Sequence, residues 1–196
     1  MSNTALVIYL HGFQSSTQSF KAQKVRAYIQ QHYPNIDYFC PPIPDLPTQA
    51  IVFLEDLLVG LSRQARPIYL IGSSLGGFYA TWLADKYQCK AVLINPAINA
   101  PQLLQHYLGD HKNPYTNNRY TLTLAQLQAL SSVSLASIMQ PQYYWVLLQM
   151  ADEVLDASIA SHFFCLCRCL IEPGGDHTFQ NFERYLPAIF AWFTAE

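Results

Sequence analysis

Residues 66–77 read RPIYLIGSSLGG, an apolar run that ends in Gly72-Ser73-Ser74-Leu75-Gly76 and passes through Gly77 into a helix-like stretch. The pattern predicts a strand, a sharp turn and a helix, with Ser74 presented at the tip of the turn. Glycine is needed on both flanks, because the turn strains its central residue and a Cβ at 72 or 76 would collide with the neighbouring strand or helix. Ser74 is therefore the candidate nucleophile. GxSxG alone also occurs in ordinary small-residue turns, so the rest of the chain has to supply context.

Outward from this elbow, apolar runs alternate with helix-periodic runs. Strands are expected at Thr4–Leu10, Ile36–Cys40, Pro67–Ile71, Ala91–Ile94, Tyr143–Gln149 and Cys165–Ile171. Most are continuously apolar, as strands buried on both faces should be. Helices are expected at Phe20–His32, Thr48–Leu61, Gly77–Tyr87, Leu155–His162 and Phe179–Phe193. The second is clearest: Ile51, Leu54, Leu58 and Leu61 form a stripe, Pro47 sits in the first turn, and Glu55 and Asp56 lie off the stripe. The fold class is thus α/β, a single domain over 1–196 with a mostly parallel sheet of about six strands and helices on both faces. Residues 99–140 break the alternation with turn signals, two short amphipathic pieces and no convincing strand, so they are expected to form a helical insertion over the cleft.

Composition narrows the function classes. With 51% hydrophobic and 12% charged residues the chain has the make-up of a buried core, not of a disordered segment. Eleven basic against thirteen acidic residues give a net charge of −2, so nothing favours nucleic acid as a partner. No stretch of about 18 apolar residues exists to span a membrane, and the amino terminus reads as a first strand, not a secretion signal. Five cysteines, an odd number, point to free thiols and a cytoplasmic location. Cys165, Cys167 and Cys169 would share one strand face, where buried thiols serve as small hydrophobes more often than as a metal cluster.

A serine hydroxyl needs a base to take its proton. Of six histidines, His177 is best placed, in the loop Glu172-Pro173-Gly174-Gly175-Asp176-His177 just beyond the last expected strand. Strand ends on that side of a parallel sheet face one crevice with Ser74. The base needs an acid to fix its tautomer. Asp152 fits, three residues past a buried strand, whereas Glu153 is expected to point elsewhere, Asp156 to cap the next helix and Asp176 to stabilise its own loop. Serine, aspartate and histidine then follow in the chain order of α/β-hydrolases. Each has an ordinary reading as a turn serine, a capping aspartate or a loop histidine, but their placement at three strand ends points to a triad. The oxyanion donors expected are the backbone amides of Leu75, after the nucleophile, and Phe13, in the Leu10-His11-Gly12-Phe13 loop. His11 is expected to brace that loop.

The segments YLHGFQSS (9–16), GSSLGGFYATWLA (72–84), INPA (94–97), YLGDHKNPYT (107–116), DEVLD (152–156) and GGDHTFQNFE (174–183) together resemble the YqiA-like esterases, a branch of the α/β-hydrolase superfamily, over nearly the whole chain. The resemblance implies a compact hydrolase of carboxylic esters or thioesters with Ser74 as nucleophile, Asp152 as acid and His177 as base. The leading antiparallel hairpin of larger hydrolases is not expected. Ala151 replaces a glycine usual before the aspartate, and Asp176 an asparagine common before the histidine.

The expected function is a serine esterase or thioesterase acting on a small acyl ester or acyl-CoA through an acyl-enzyme, with no metal or organic cofactor. Acyl transfer or perhydrolysis by the same triad, and a binding module on a retired hydrolase fold, are the rival readings. Phe13, Phe78, Tyr107, Tyr115 and Tyr120 are candidates for an apolar acyl pocket.

Overall fold

The computed structural model describes residues 4–195. Six strands, β1 (Leu6–Leu10), β2 (Asp37–Phe39), β3 (Ile68–Ser73), β4 (Ala91–Ile94), β7 (Tyr144–Gln149) and β8 (Arg168–Glu172), form one sheet in the order β2-β1-β3-β4-β7-β8. Every pairing in it is parallel. The order reverses between β1 and β3. In an open parallel sheet the loops leaving the carboxyl ends part at such a point and leave a crevice, which is where the Ser74 turn lies.

Alternation along the strands builds two cores. Leu6, Ile8 and Leu10 of β1, with Tyr144, Val146 and Leu148 of β7, face α2 (Pro47–Ser62), α3 (Leu75–Tyr87) and α6 (Ala157–Phe163). Val7 and Tyr9, with Trp145 and Leu147, face α1 (Phe20–His32) and α7 (Leu186–Thr194). The apolar runs are strands because both faces are covered, so neither face calls for polar residues. No helix among the described residues is long and apolar enough to cross a membrane.

Three expectations change. Residues 99–140 hold α4 (Ala100–Leu104) and α5 (Leu124–Ser132), but also an antiparallel hairpin, β5 (Gly109–Lys112) with β6 (Arg119–Leu122). Its strands are largely polar, with Leu122 buried in the core, and turn chemistry sustains them: the Asn113 side-chain oxygen accepts from the Tyr115 amide at 2.9 Å, and the Asn113 amide donates to Asn118 O at 2.9 Å. The last strand begins at Arg168, so Cys165 and Cys167 precede it and the three thiols share no strand face. Phe164, 0% exposed, is drawn into the core, and the Cys167 amide returns to its carbonyl at 2.8 Å in a turn before the chain extends. The carboxyl-terminal helical stretch splits into a 3-10 turn at Phe182–Tyr185 and α7, which restarts at Leu186 with Pro187 in its first turn, where a missing N–H is tolerated.

The close approach of α3 to β1 should make the elbow intolerant of added volume. A Cβ at Gly76 would press into the Leu10 carbonyl, and one at Gly72 would stand 2.7 Å from Ala80 Cβ. Gly76→Ala is expected to lower stability by about 3 kcal/mol or more, above the usual overpacking cost because backbone atoms cannot step aside; thermal or urea unfolding measures it, and an unchanged midpoint would contradict the packing described.

Candidate active site

Ser74 stands between β3 and α3 at φ 56°, ψ −123°, a backbone state that L-residues avoid. Its amide donates to Ile94 O at 3.1 Å, and its carbonyl accepts from the amides of Gly77 at 2.9 Å and Ala97 at 3.1 Å. A Cβ at Gly77 would lie 2.8 Å from Pro96 Cβ, so this glycine too lets the helix approach.

The three sequence-derived side chains meet. His177 Nε2 lies 3.1 Å from Ser74 Oγ, and His177 Nδ1 lies 2.9 and 3.0 Å from the two Asp152 carboxylate oxygens. The Asp152 side chain is 1% exposed and that of His177 22%. An ionised carboxylate only accepts, so the network assigns the proton to Nδ1 and leaves the Nε2 lone pair for the Ser74 hydroxyl. Asp152 is itself aimed by the amides of Val154 and Leu155, which donate to its Oδ1 at 2.9 and 2.8 Å. Asp156 caps α6 by accepting from the Ser158 amide at 2.9 Å, as expected.

Residues that sequence reasoning passed over hold the histidine loop. Asn95, 2% exposed, follows β4; its amide nitrogen donates to the carbonyls of Asp176 at 3.0 Å and His177 at 3.2 Å, and its oxygen accepts from the Gln149 amide at 3.0 Å. Gln149, 3% exposed, ends β7; its oxygen accepts from the amides of Asp176 at 3.1 Å and Gln180 at 2.8 Å, and its nitrogen donates to Glu172 at 2.8 Å and Gln180 O at 3.1 Å. Glu153 does not point elsewhere: its carboxylate accepts from the His177 amide at 3.0 Å. The available signal was a carboxamide closing each buried strand run, Asn95 after AVLI and Gln149 after YWVLL. Asp176 bonds within its own loop, to Thr178 Oγ1 at 2.6 Å and Gln180 Nε2 at 2.8 Å, and these bonds hold its carboxyl below the ordinary range.

Across the cleft is the loop after β1. A Cβ on Gly12 would stand 3.2 Å from Ser74 Cβ, so the loop passes directly over the serine and sets Phe13 beside it. Leu75 begins α3, and its amide is one of the four in a helix without an intrahelical acceptor. The Phe13 ring packs edge-on against Tyr107, His111 and Tyr120, with centroids at 5.6, 6.1 and 6.4 Å. Of the candidate aromatics, Phe13 and Tyr115 line the cleft of about 560 Å³ that holds Ser74 and His177. Tyr107 and Tyr120 pack on Phe13 instead, and Phe78 is buried in α3, 5% exposed. His11 braces the loop as expected: Nε2 accepts from the Ile43 amide at 3.3 Å while Nδ1 faces Gly12 O at 3.2 Å. Burial holds its imidazole below the ordinary range.

A parallel sheet whose order reverses at β1 and β3, carrying a strained serine turn with an aspartate and a histidine supplied from the next strand ends, defines the α/β-hydrolase fold. The chain belongs to the uncharacterised protein family UPF0227, which it matches over residues 6–194, in agreement with the resemblance to YqiA-like esterases. Similar solved structures include Est1E from Butyrivibrio proteoclasticus (TM-score 0.69, 14% identity, 98% of this chain and 87% of that one). The esterase domain of a Rhodothermus marinus protein gives TM-score 0.69 at 17% identity over 96% and 86% of the two chains. Mouse alpha/beta hydrolase domain-containing protein 10 gives 0.68 at 16% over 95% and 88%. At these identities the likeness is one of fold.

Gln149→Met keeps the volume but strands the amides of Asp176 and Gln180, at about 1–3 kcal/mol each. With the histidine loop loosened, kcat toward an ester is expected to fall on the order of 10²-fold with KM little changed; an unaltered kcat would remove Gln149 from the support of His177. His11 gives a pH signature. In the unfolded chain it takes a proton near 6.5, in the folded one only at lower pH, so its contribution is complete above about pH 6.5 and shrinks as the pH falls below. The stability difference between the wild type and His11→Asn, from urea unfolding, should therefore narrow from pH 7.5 to pH 5; a difference constant with pH would contradict the neutral assignment.

Proposed function

We propose that the chain is a serine hydrolase of carboxylic esters or thioesters, one domain acting on a small acyl substrate. The observation that carries this reading is the unbroken hydrogen-bonded line from Ser74 Oγ through His177 to the buried Asp152 carboxylate. His177 takes the Ser74 proton as Oγ attacks the acyl carbon, and Asp152 stabilises the imidazolium that forms. The oxyanion is received by the amides of Leu75, at the positive end of α3, and Phe13. His177 then protonates the leaving oxygen or sulfur, and a water activated by the same imidazole releases the acid.

The rival readings fit less well. A retired hydrolase fold has no reason to keep three side chains in hydrogen-bonding register, whereas partial exposure of His177 gives water access to the acyl-enzyme and favours hydrolysis over transfer to another acceptor. Among the structural neighbours one is an esterase domain and another, Est1E, is seen with ferulic acid bound, which supports a carboxylic ester as substrate. All five cysteines are free thiols, in keeping with a reducing, cytoplasmic setting.

Ser74→Ala is expected to lower kcat/KM for 4-nitrophenyl butyrate by about 10³-fold or more. Ser74→Gly should be equally inactive yet more stable than Ser74→Ala by about 1 kcal/mol, because glycine accepts the positive φ without strain. Hydrolysis assays with thermal unfolding of all three proteins check both statements; undiminished turnover in Ser74→Ala would end the proposal.

A further inference from the structure

The cleft holding Ser74 and His177 is also lined by Lys21, in the first turn of α1, and the chemistry above makes no use of it. Lys21 is the single lysine or arginine among the described residues of that lining, which contains no aspartate or glutamate. Its Nζ donates to the Thr178 carbonyl at 2.6 Å. Among the described residues no carboxylate oxygen lies within 4.0 Å of it. The carboxylate that acts on it from farther away, Asp176, is already engaged by Thr178 and Gln180. Burial pushes the Lys21 ammonium down to about 8, the mark of a cation short of compensation.

An ammonium has three protons to donate, and Thr178 takes one. A partly desolvated cation with spare donors and no ion-pair partner gains when an anion enters beside it. The first turn of α1 contains no acidic residue, so the positive end of that helix reinforces the same field. Position decides which part of the substrate is concerned. His177 must reach the leaving atom to protonate it, so the leaving group lies along the histidine loop. Lys21 is bonded to that loop one residue beyond His177.

Resting on the hydrolase reading, we propose that Lys21 is a specificity determinant that binds an anionic group, carboxylate or phosphate, on the leaving-group side of the ester. The enzyme then selects acyl esters of acidic alcohols or thiols through a charge-assisted hydrogen bond, while the Ser74 chemistry is common to all esters.

Three acetyl esters test this: 4-acetoxybenzoate, 4-acetoxyphenyl phosphate, and neutral methyl 4-acetoxybenzoate. Comparing the wild type with Lys21→Met on each substrate cancels the intrinsic reactivity of the phenol. The loss in kcat/KM is expected to be at least about tenfold greater for an anionic ester than for the methyl ester, chiefly through KM, as for a lost hydrogen bond to a charged group. Lys21→Arg should keep most of the preference. A larger loss on the phosphate than on the carboxylate identifies phosphate as the preferred group, and the reverse identifies carboxylate. Equal losses on all three esters would show that Lys21 only staples the histidine loop, and equal activity of Lys21→Met and wild type on the anionic esters would also overturn the proposal. Should the wild type turn over none of the three, or turnover survive Ser74→Ala, the hydrolase reading fails and this proposal with it.

Discussion

Ser74 is held in a left-handed backbone state costing about 1–3 kcal/mol, and the structure around it is arranged so that no other state fits. Four glycines, at 12, 72, 76 and 77, let the β1 loop, β3, α3 and the segment after β4 close on that residue from different sides. Ile94, Gly77 and Ala97 take up its amide and carbonyl, so rotating the peptide to relieve φ would strand buried polar groups. The strain is thus supported by the packing of β3 between β1 and β4, with side chains on both its faces in the two cores. A hydroxyl fixed in this way stays in line with the imidazole without depending on its own rotamer preference alone.

The histidine is held by a different physical device. The segment 174–181 is not regular structure, and its glycines at 174 and 175 have positive φ, so it has no ladder of its own to order it. Its peptide groups are taken up by Asn95, Gln149, Glu153 and Lys21, which rise from the ends of β4 and β7 and from α1. Two of these, Asn95 and Gln149, are buried carboxamides whose nitrogen and oxygen are both hydrogen-bonded. A buried polar network of this kind specifies one arrangement, because any slip leaves unpaired groups in a low-dielectric site. Gly175 is part of the fit, since a Cβ there would run into the Gln149 side chain.

The parts of this design legible in the sequence are those with a local signature. The Gly72-to-Gly77 turn, the apolar runs of the central strands and the chain order of Ser74, Asp152 and His177 can all be read from residue type and spacing, because backbone strain and burial impose composition directly. Asn95 and Gln149 carry no such signature. Their role is defined by partners up to 82 residues away, and a single carboxamide after a strand is equally consistent with a loop. The hairpin within 99–140 was hidden for a related reason: Asp110, His111 and Lys112 are poor strand formers, and what pairs them is the Asn113 turn together with Asn113 Nδ2 donating to Asp45 at 2.6 Å, 68 positions away. Glu153 departs from the expectation that neighbouring residues on an extended turn diverge: the side chains of Asp152 and Glu153 both reach His177, one at the ring and the other at the backbone.

The same contacts decide how far the insertion can act as a cover. Leu104, Leu122, Leu127 and Leu130 are 0–8% exposed and belong to the core cluster that contains α2 and α3. Exposing a buried leucine costs about 1.5–3 kcal/mol, so lifting all four would cost roughly 6–12 kcal/mol. That rivals the whole stability of an ordinary domain, about 5–15 kcal/mol. The insertion therefore does not swing as a body. Its base is part of the core, and its hairpin is tied to the β1 loop by Phe13, by Gln14 bonded to His111, and by Asn113 bonded to Ser15. The Tyr115 side chain, on the turn that Asn113 braces, is 59% exposed and stands at the rim of the cleft. The segment that forms this rim thus also holds still the loop bearing the Phe13 amide.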